Sequence, residues 1–217
     1  MKTPRNMLSE TAYDLIKNDI VTCAFDPGQF IAQAELVEKY AVGMTPVREA
    51  LRRLAQEGFV RAVPRMGYIV SQITPQDIHE IFELRLVLES ASLRLAASRA
   101  LDNALDLIAQ SANYTYTFKE RHSYISFLNH NANFHISIAA STGNQRLALM
   151  VAKVMDELTR VFHLGLDLRD SAEEMRRDHL ALVEALRRHD PDLAEQRVRA
   201  EILLSRDRIL EALKRYP

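Results

Sequence analysis

Thr45-Pro46-Val47-Arg48-Glu49-Ala50-Leu51-Arg52-Arg53-Leu54, residues 45–54, decides how the N-terminal third folds. Threonine suits a helix N-cap and proline is tolerated in a first turn, so a helix is expected to open at Thr45-Pro46. Val47, Ala50, Leu51 and Leu54 then recur at i, i+3, i+4 and i+7, a single buried stripe. That stripe turns Thr45, Arg48, Glu49 and Arg52 to the opposite face. Just upstream, residues 33–40 read as a short helix with Leu36 and Val37 facing in, and Gly43 breaks the chain before the next helix. Two short helices joined by a tight turn, the second basic on its outer face, fit a helix-turn-helix.

Working outward, residues 9–23 form an amphipathic pattern, with Ala12, Leu15, Ile16, Ile20 and Cys23 at helical spacing. Asp26-Pro27-Gly28 reads as a turn. After Gly58, residues 59–70 read as two short strands joined by Pro64-Arg65-Met66-Gly67, a wing beside the helices. The major groove of DNA admits one helix, and an arginine can donate two hydrogen bonds to a guanine edge. Arg61 and Arg65 on the wing would meet phosphates, which position a protein without reading sequence. Thr45, Arg48, Arg52, Arg53, Arg61 and Arg65 form the candidate DNA-contacting set. Residues 44–70 hold five arginines against two glutamates, a local excess of positive charge on a chain whose net charge is −1. The alternative for these residues is a plain helical hairpin with a solvated arginine face.

From Thr74 onward the pattern is helical, with six helices expected at residues 75–99, 102–119, 123–141, 144–166, 171–189 and 191–215. The expected organisation is a winged helix-turn-helix domain over residues 1–72 and an all-α six-helix bundle over 73–217, mainly α overall. The hydrophobic share of 47% and the charged share of 26% are ordinary for a globular chain of 217 residues. One cysteine, Cys23, excludes an internal disulfide framework and fits a reducing cytoplasm. Residues 1–8 lack the apolar run of a secretion signal, and no stretch approaches the length of a membrane span. A cytoplasmic protein with no membrane partner is expected.

The helical part contains a polar constellation on apolar faces. Asn131 and His135 are four apart, on the face that carries Leu128 and Ile138. His179 sits among Met175, Leu182 and Leu186, and Glu201 near Val198, Ile202 and Ser205. His179 and Glu201 are equidistant from a turn at Asp190-Pro191. In antiparallel helices they rise roughly 16 Å on each side and lie level. Two imidazoles and a carboxylate converging in a core suit zinc, nickel or manganese; the plainer reading is separate buried polar groups bonded to their neighbours. His79, His122, His130, His163 and His189 lack such support and are read as surface or structural. Arg85 lies four before Glu89 on an inner face with Ile78, Ile81 and Phe82. It is either half of an i,i+4 ion pair or a buried guanidinium that grips a ligand carboxylate with two bonds. Arg160 is a weaker candidate of the same kind.

Asp26-Pro27-Gly28, residues 45–54, Glu57-Gly58-Phe59-Val60 and Gly67-Tyr68-Ile69-Val70 together closely resemble the DNA-binding domain of the GntR family of regulators. The helical remainder resembles the C-terminal domain of its FadR subfamily, in the metabolite-binding FCD form. The resemblance implies a homodimeric repressor on a near-palindromic DNA operator, with a small carboxylate effector bound by Arg85, Asn131, His135, His179 and Glu201. It implies a metal as well, since many such domains hold one with an aspartate and three histidines. His135 and His179 match two of those histidines, Asn131 stands for the aspartate and Glu201 for the last histidine. Gly43-Met44 and Ala34 depart from the family's usual polar and basic residues, which leaves Arg48 with the chief base contact and a different operator expected. The rival readings are a metal-dependent enzyme on the helical domain, or a helical protein-interaction module. The chain has no His-Glu-x-x-His, no Gly-x-Ser-x-Gly and no phosphate-binding glycine loop.

Overall fold

In the computed structural model, residues 4–214 are described and the chain divides between Ile73 and Thr74 into two units. The start of the residue 1–8 segment and Arg215, at the end of the last expected helix, lie outside the described residues. The first unit runs α1 (Pro4–Val21), β1 (Phe30–Ile31), α2 (Gln33–Tyr40), α3 (Met44–Gln56), β2 (Val60–Val63) and β3 (Gly67–Val70). The stripe Val47, Ala50, Leu51 and Leu54 is buried against Ala12, Ile16 and Ile20 of α1 and Leu36 of α2. A left-handed Ala41 (φ 51°) turns α2 into α3. Helix α3 starts one residue before Thr45: Gly43 is the N-cap, without a side-chain cap bond, and Thr45 is exposed in the first turn. Pro46 is tolerated there because first-turn N–H groups have no intrahelical acceptor.

The sheet has the order β1-β3-β2 and is antiparallel throughout, with Val60 opposite Val70 and Phe30 opposite Ile69. Strand β1 is an addition to the expected two-stranded wing. Asp26-Pro27-Gly28 delivers it: Gly28 takes φ +83°, its N–H donates to Val70 O at 2.9 Å, and Val70 N–H donates to Gln29 O at 2.9 Å. Asp19 on α1 ties α2 in place by accepting the Tyr40 hydroxyl at 2.6 Å and pairing with Lys39 at 2.6 Å.

The second unit comprises α4 (Pro75–Arg99), α5 (Asp102–Ser111), α6 (Arg121–Ser141), α7 (Gln145–Leu168), α8 (Ala172–Arg187) and α9 (Pro191–Leu213). A capping box opens α4: Thr74 Oγ1 accepts from Asp77 N at 3.1 Å, while Thr74 N donates to Asp77 Oδ2 at 2.8 Å. Helix α4 packs against α6, α7, α8 and α9, so its inner face is the centre of the unit. The expected helix at 102–119 is shorter, ending at Ser111. Asn113-Tyr114-Thr115-Tyr116-Thr117 is poor in helix formers, and the buried Tyr116 hydroxyl accepts the Ser171 N–H at 2.7 Å instead.

Gly67 is a point of no tolerance in the wing. At φ +140°, an added Cβ would stand 2.8 Å from Ile31 O and 3.0 Å from the Phe30 ring. Gly67→Ala should therefore strip β1 from β3 and destabilise the first unit by about 1–3 kcal/mol. Denaturant unfolding checks this, and an unchanged midpoint would refute it.

Candidate effector site and DNA face

Arg85 on α4 is 1% exposed, and its carbon stem has no route to water. A guanidinium so placed must be met by anions. Its Nε donates to Glu89 Oε1 at 2.6 Å, one turn along the same helix. Its Nη2 donates to Glu201 Oε1 of α9 at 2.9 Å and lies 3.2 Å from His135 Nε2 of α6. Glu89 Oε2 in turn lies 2.7 Å from His135 Nδ1. The imidazole thus turns Nδ1 toward Glu89 and Nε2 toward Arg85. Phe82 and Phe162 place their rings 5.8 and 5.7 Å from the guanidinium carbon, which keeps the surroundings apolar.

His179 of α8 completes the cluster. Its ring stacks on Phe134 at 4.3 Å and meets His135 edge-on at 5.2 Å. One ligating atom from each of His135, His179 and Glu201 lies within 4.8 Å of the others. The hairpin of α8 and α9 thus sets His179 and Glu201 level, and α6 brings His135 between them. Asn131 is buried one turn before His135 on α6. Arg160 is also buried, as is His163, which meets the Tyr124 ring edge-on at 5.6 Å.

The electrostatics follow from the burial. Burial alone would push the Glu89 carboxyl up, but the adjacent Arg85 and His135 hold it well below the usual carboxylate range. Burial pushes the His179 imidazole well down, reinforced by His135 and Arg85, so it is neutral and keeps a lone pair. Burial opposes the Arg85 charge, yet Glu89 and Glu201 together raise its pKa further, so it stays protonated. Five buried atoms in this cluster have no hydrogen-bond partner: Arg85 Nη1, His179 Nε2 and Glu201 Oε2, and also Glu89 Oε2 and His135 Nδ1, which face each other as an ion pair without hydrogen-bond alignment. Buried polar atoms without partners are rare, and such atoms call for a water, an ion or a ligand to complete the bonding. Two imidazole nitrogens and a carboxylate are a donor set that fits a borderline divalent metal.

Of the two alternatives drawn for Arg85 from the sequence, the i,i+4 pair with Glu89 is present, and the guanidinium that makes it is buried and faces the polar centre. Glu89 is the member of this cluster missing from the sequence-derived set. Its spacing from Arg85 was the only signal, since the rest of its role depends on residues of α6 and α9.

On the first unit, Thr45, Arg48 and Arg52 of α3, Arg61 of β2 and Arg65 at the wing tip are exposed. Those four arginines make no ion pair among the described residues. Arg53 differs. It stacks on the Tyr13 ring at 3.7 Å and donates to Glu57 at 3.0 Å, while Tyr13 donates to Glu57 at 2.5 Å. Glu49 accepts from Ser9. Both contacts clamp α1 to α3.

Residues 8–70 match the bacterial regulatory proteins of the gntR family, and residues 80–203 match the FCD domain. Among curated relatives, the repressor GlaR of Escherichia coli K12 is 30% identical over 200 residues, covering 88% of this chain and 90% of its own. The Escherichia coli repressor NanR is 26% identical over 219 residues, covering 91% and 82%. The solved structure of McbR/YncC from E. coli superposes with a TM-score of 0.72 at 21% identity, covering both chains fully. A GntR regulator from Rhodococcus sp. RHA1 gives 0.75 at 19% identity, covering 94% of this chain and 98% of its own. No helix among the described residues is long and apolar enough to cross a membrane.

The cluster makes a stability prediction. Glu89→Ala removes the anion shared by Arg85 and His135, and should cost about 3–5 kcal/mol in denaturant unfolding. A loss under about 1 kcal/mol would show that Glu89 is not a buried partner of Arg85.

Proposed function

Because the chain belongs to the GntR family of bacterial regulatory proteins and carries an FCD domain, a transcription regulator rather than an enzyme, we propose that it is a metabolite-responsive repressor acting in the cytoplasm. The observation that carries the metabolite-responsive part is the buried cluster with its unpartnered atoms, among them Arg85 Nη1, His179 Nε2 and Glu201 Oε2. The effector is a small organic acid. Arg85 Nη1 donates to its carboxylate inside the helical unit. His135, His179 and Glu201 hold a zinc or nickel ion there, with Asn131 as an uncharged further donor. Such an ion supplies a Lewis-acidic contact for a carboxylate oxygen. The names of GlaR and NanR as repressors support the sign of the regulation.

The N-terminal unit, residues 1–72, reads double-stranded DNA with α3 in the major groove. Arg48 makes the chief base contact, with Thr45 and Arg52 beside it. Arg61 and Arg65 on the wing meet phosphates, and Arg53, held by Glu57 and Tyr13, adds charge at the edge of that face. Residues 73–217 bind the effector and hold two chains together as a homodimer, since a near-palindromic operator calls for a two-fold protein. Effector binding changes operator affinity, a coupling that is typically about 1–3 kcal/mol or roughly 5–150-fold.

Two experiments test this. Bound genomic fragments are selected, and the recovered operator is titrated with variants. Arg48→Ala should cost about 1–3 kcal/mol and relax specificity at one position per half-site, whereas Arg65→Ala should weaken all sequences alike. A uniform loss from both variants would remove Arg48 from base reading. Separately, protein purified without chelator should carry up to one transition-metal ion per chain by elemental analysis. His135→Ala and His179→Ala should each abolish it and lower the melting temperature measured with metal present. A metal-free wild type whose melting temperature ignores added zinc and nickel would sink the metal part of the reading.

A further inference from the structure

We propose that Arg85 is the cluster's own internal cation, competing with the metal for its ligands, so that metal entry releases the guanidinium and creates the effector's carboxylate site. This rests on the metal reading above. The observation behind it is the identity of the lone pairs that Arg85 holds. An imidazole nitrogen has a single lone pair. With Nδ1 turned to Glu89 at 2.7 Å, His135 has only Nε2 to offer a metal, and Arg85 Nη2 stands 3.2 Å from that atom. The same Nη2 donates to Glu201 Oε1 at 2.9 Å. The guanidinium therefore engages two of the three side chains that could hold an ion. Metal and Nη2 cannot both take the His135 lone pair.

Charge balance gives the same answer independently. Among the permanently charged side chains, Arg85, Glu89 and Glu201 leave the buried centre with one net negative charge. An anionic effector added to that state would bury a second, which the apolar surroundings oppose. A divalent ion reverses the sign to one net positive charge, and a single carboxylate then brings the centre to neutrality. Arg85 has a spare donor already, Nη1, without a partner. Once Nη2 leaves His135, the guanidinium presents two donors side by side, the fork that matches a carboxylate. Glu89 retains Nε at 2.6 Å and keeps the displaced group from leaving the site. The centre thus selects one carboxylate per metal, and the two bind with positive coupling.

The test uses zinc alone as the probe, titrated into the metal-stripped full-length protein against a chromophoric chelator. Arg85→Met removes the competitor and should tighten zinc binding by about tenfold or more. Arg85→Gln, also uncharged, serves if Arg85→Met fails to fold. In the wild type, nitrogen NMR of the Arg85 guanidinium should show a resonance that moves on saturation with zinc. Tightening together with that movement supports the proposal. Unchanged or weaker zinc binding in the variants overturns it while leaving the metal reading standing. Tightening with an unmoved guanidinium also overturns it, because mere loss of a nearby positive charge then accounts for the gain. If only the variants take zinc, Arg85 is confirmed as the block and the metal reading fails for the wild type. If neither protein takes zinc, both ideas fall together.

Discussion

A guanidinium sealed in a helical core is the constraint on which the second unit is organised. Arg85 cannot be placed there without Glu89 and Glu201, and Glu89 cannot be placed there without a second donor, which His135 supplies. Each of these side chains comes at a price in desolvation that only the others can offset. The helices are thereby specified in register: α4 supplies two members, α6 one and α9 one, and a slip of one turn by any of them would leave a buried charge unmatched. Ridges of leucine and isoleucine would tolerate such a slip far better, since apolar contact is not directional. The polar centre therefore fixes the bundle's register as well as offering chemistry.

The first unit distributes its arginines according to another logic. Arg53 is neutralised by Glu57 and stacked on Tyr13, and the clamp holds α1 against α3. Arg48, Arg52, Arg61 and Arg65 are left exposed without ion pairs among the described residues. A near-neutral chain thus leaves four unpaired arginines together on one helix face and the adjoining wing, the kind of patch that attracts a polyanion. The opposite side of α3 is wholly apolar, so the helix cannot rotate without burying Arg48 and Arg52.

How much of this was legible in the sequence depends on the range of the interaction. The stripe of α3 and the bounds of α2 and α4 follow from local periodicity and breakers, and the structure places them within a residue or so. Strand β1 was not legible, because two residues carry no period. Only the pairing of Phe30 and Ile31 with Ile69 and Tyr68 makes it a strand. The end of α5 was misread because apolar residues continue through Tyr116 and Phe118, yet Tyr116 is buried against Ser171 outside any helix. In the site, the level placement of His179 and Glu201 is legible because both lie on one hairpin, equidistant from its turn. The partners of Arg85 on α6 and α9 lie 50 and 116 positions away, and no spacing rule reaches so far.

The junction between the units has a mechanical consequence. Strand β3 ends at Val70, and Ser71 N–H still donates to Phe59 O at 3.0 Å. The Gln72 side chain lies against Gly28. Thr74 is already locked by the capping box with Asp77. What joins the two bodies is then Gln72 and Ile73, a joint with about four soft torsions, two per residue. A connection this short sets a covalent limit: three residue steps from Ser71 to Thr74 span at most about 11 Å, so the end of the wing and the first turn of α4 stay within that distance whatever those torsions do.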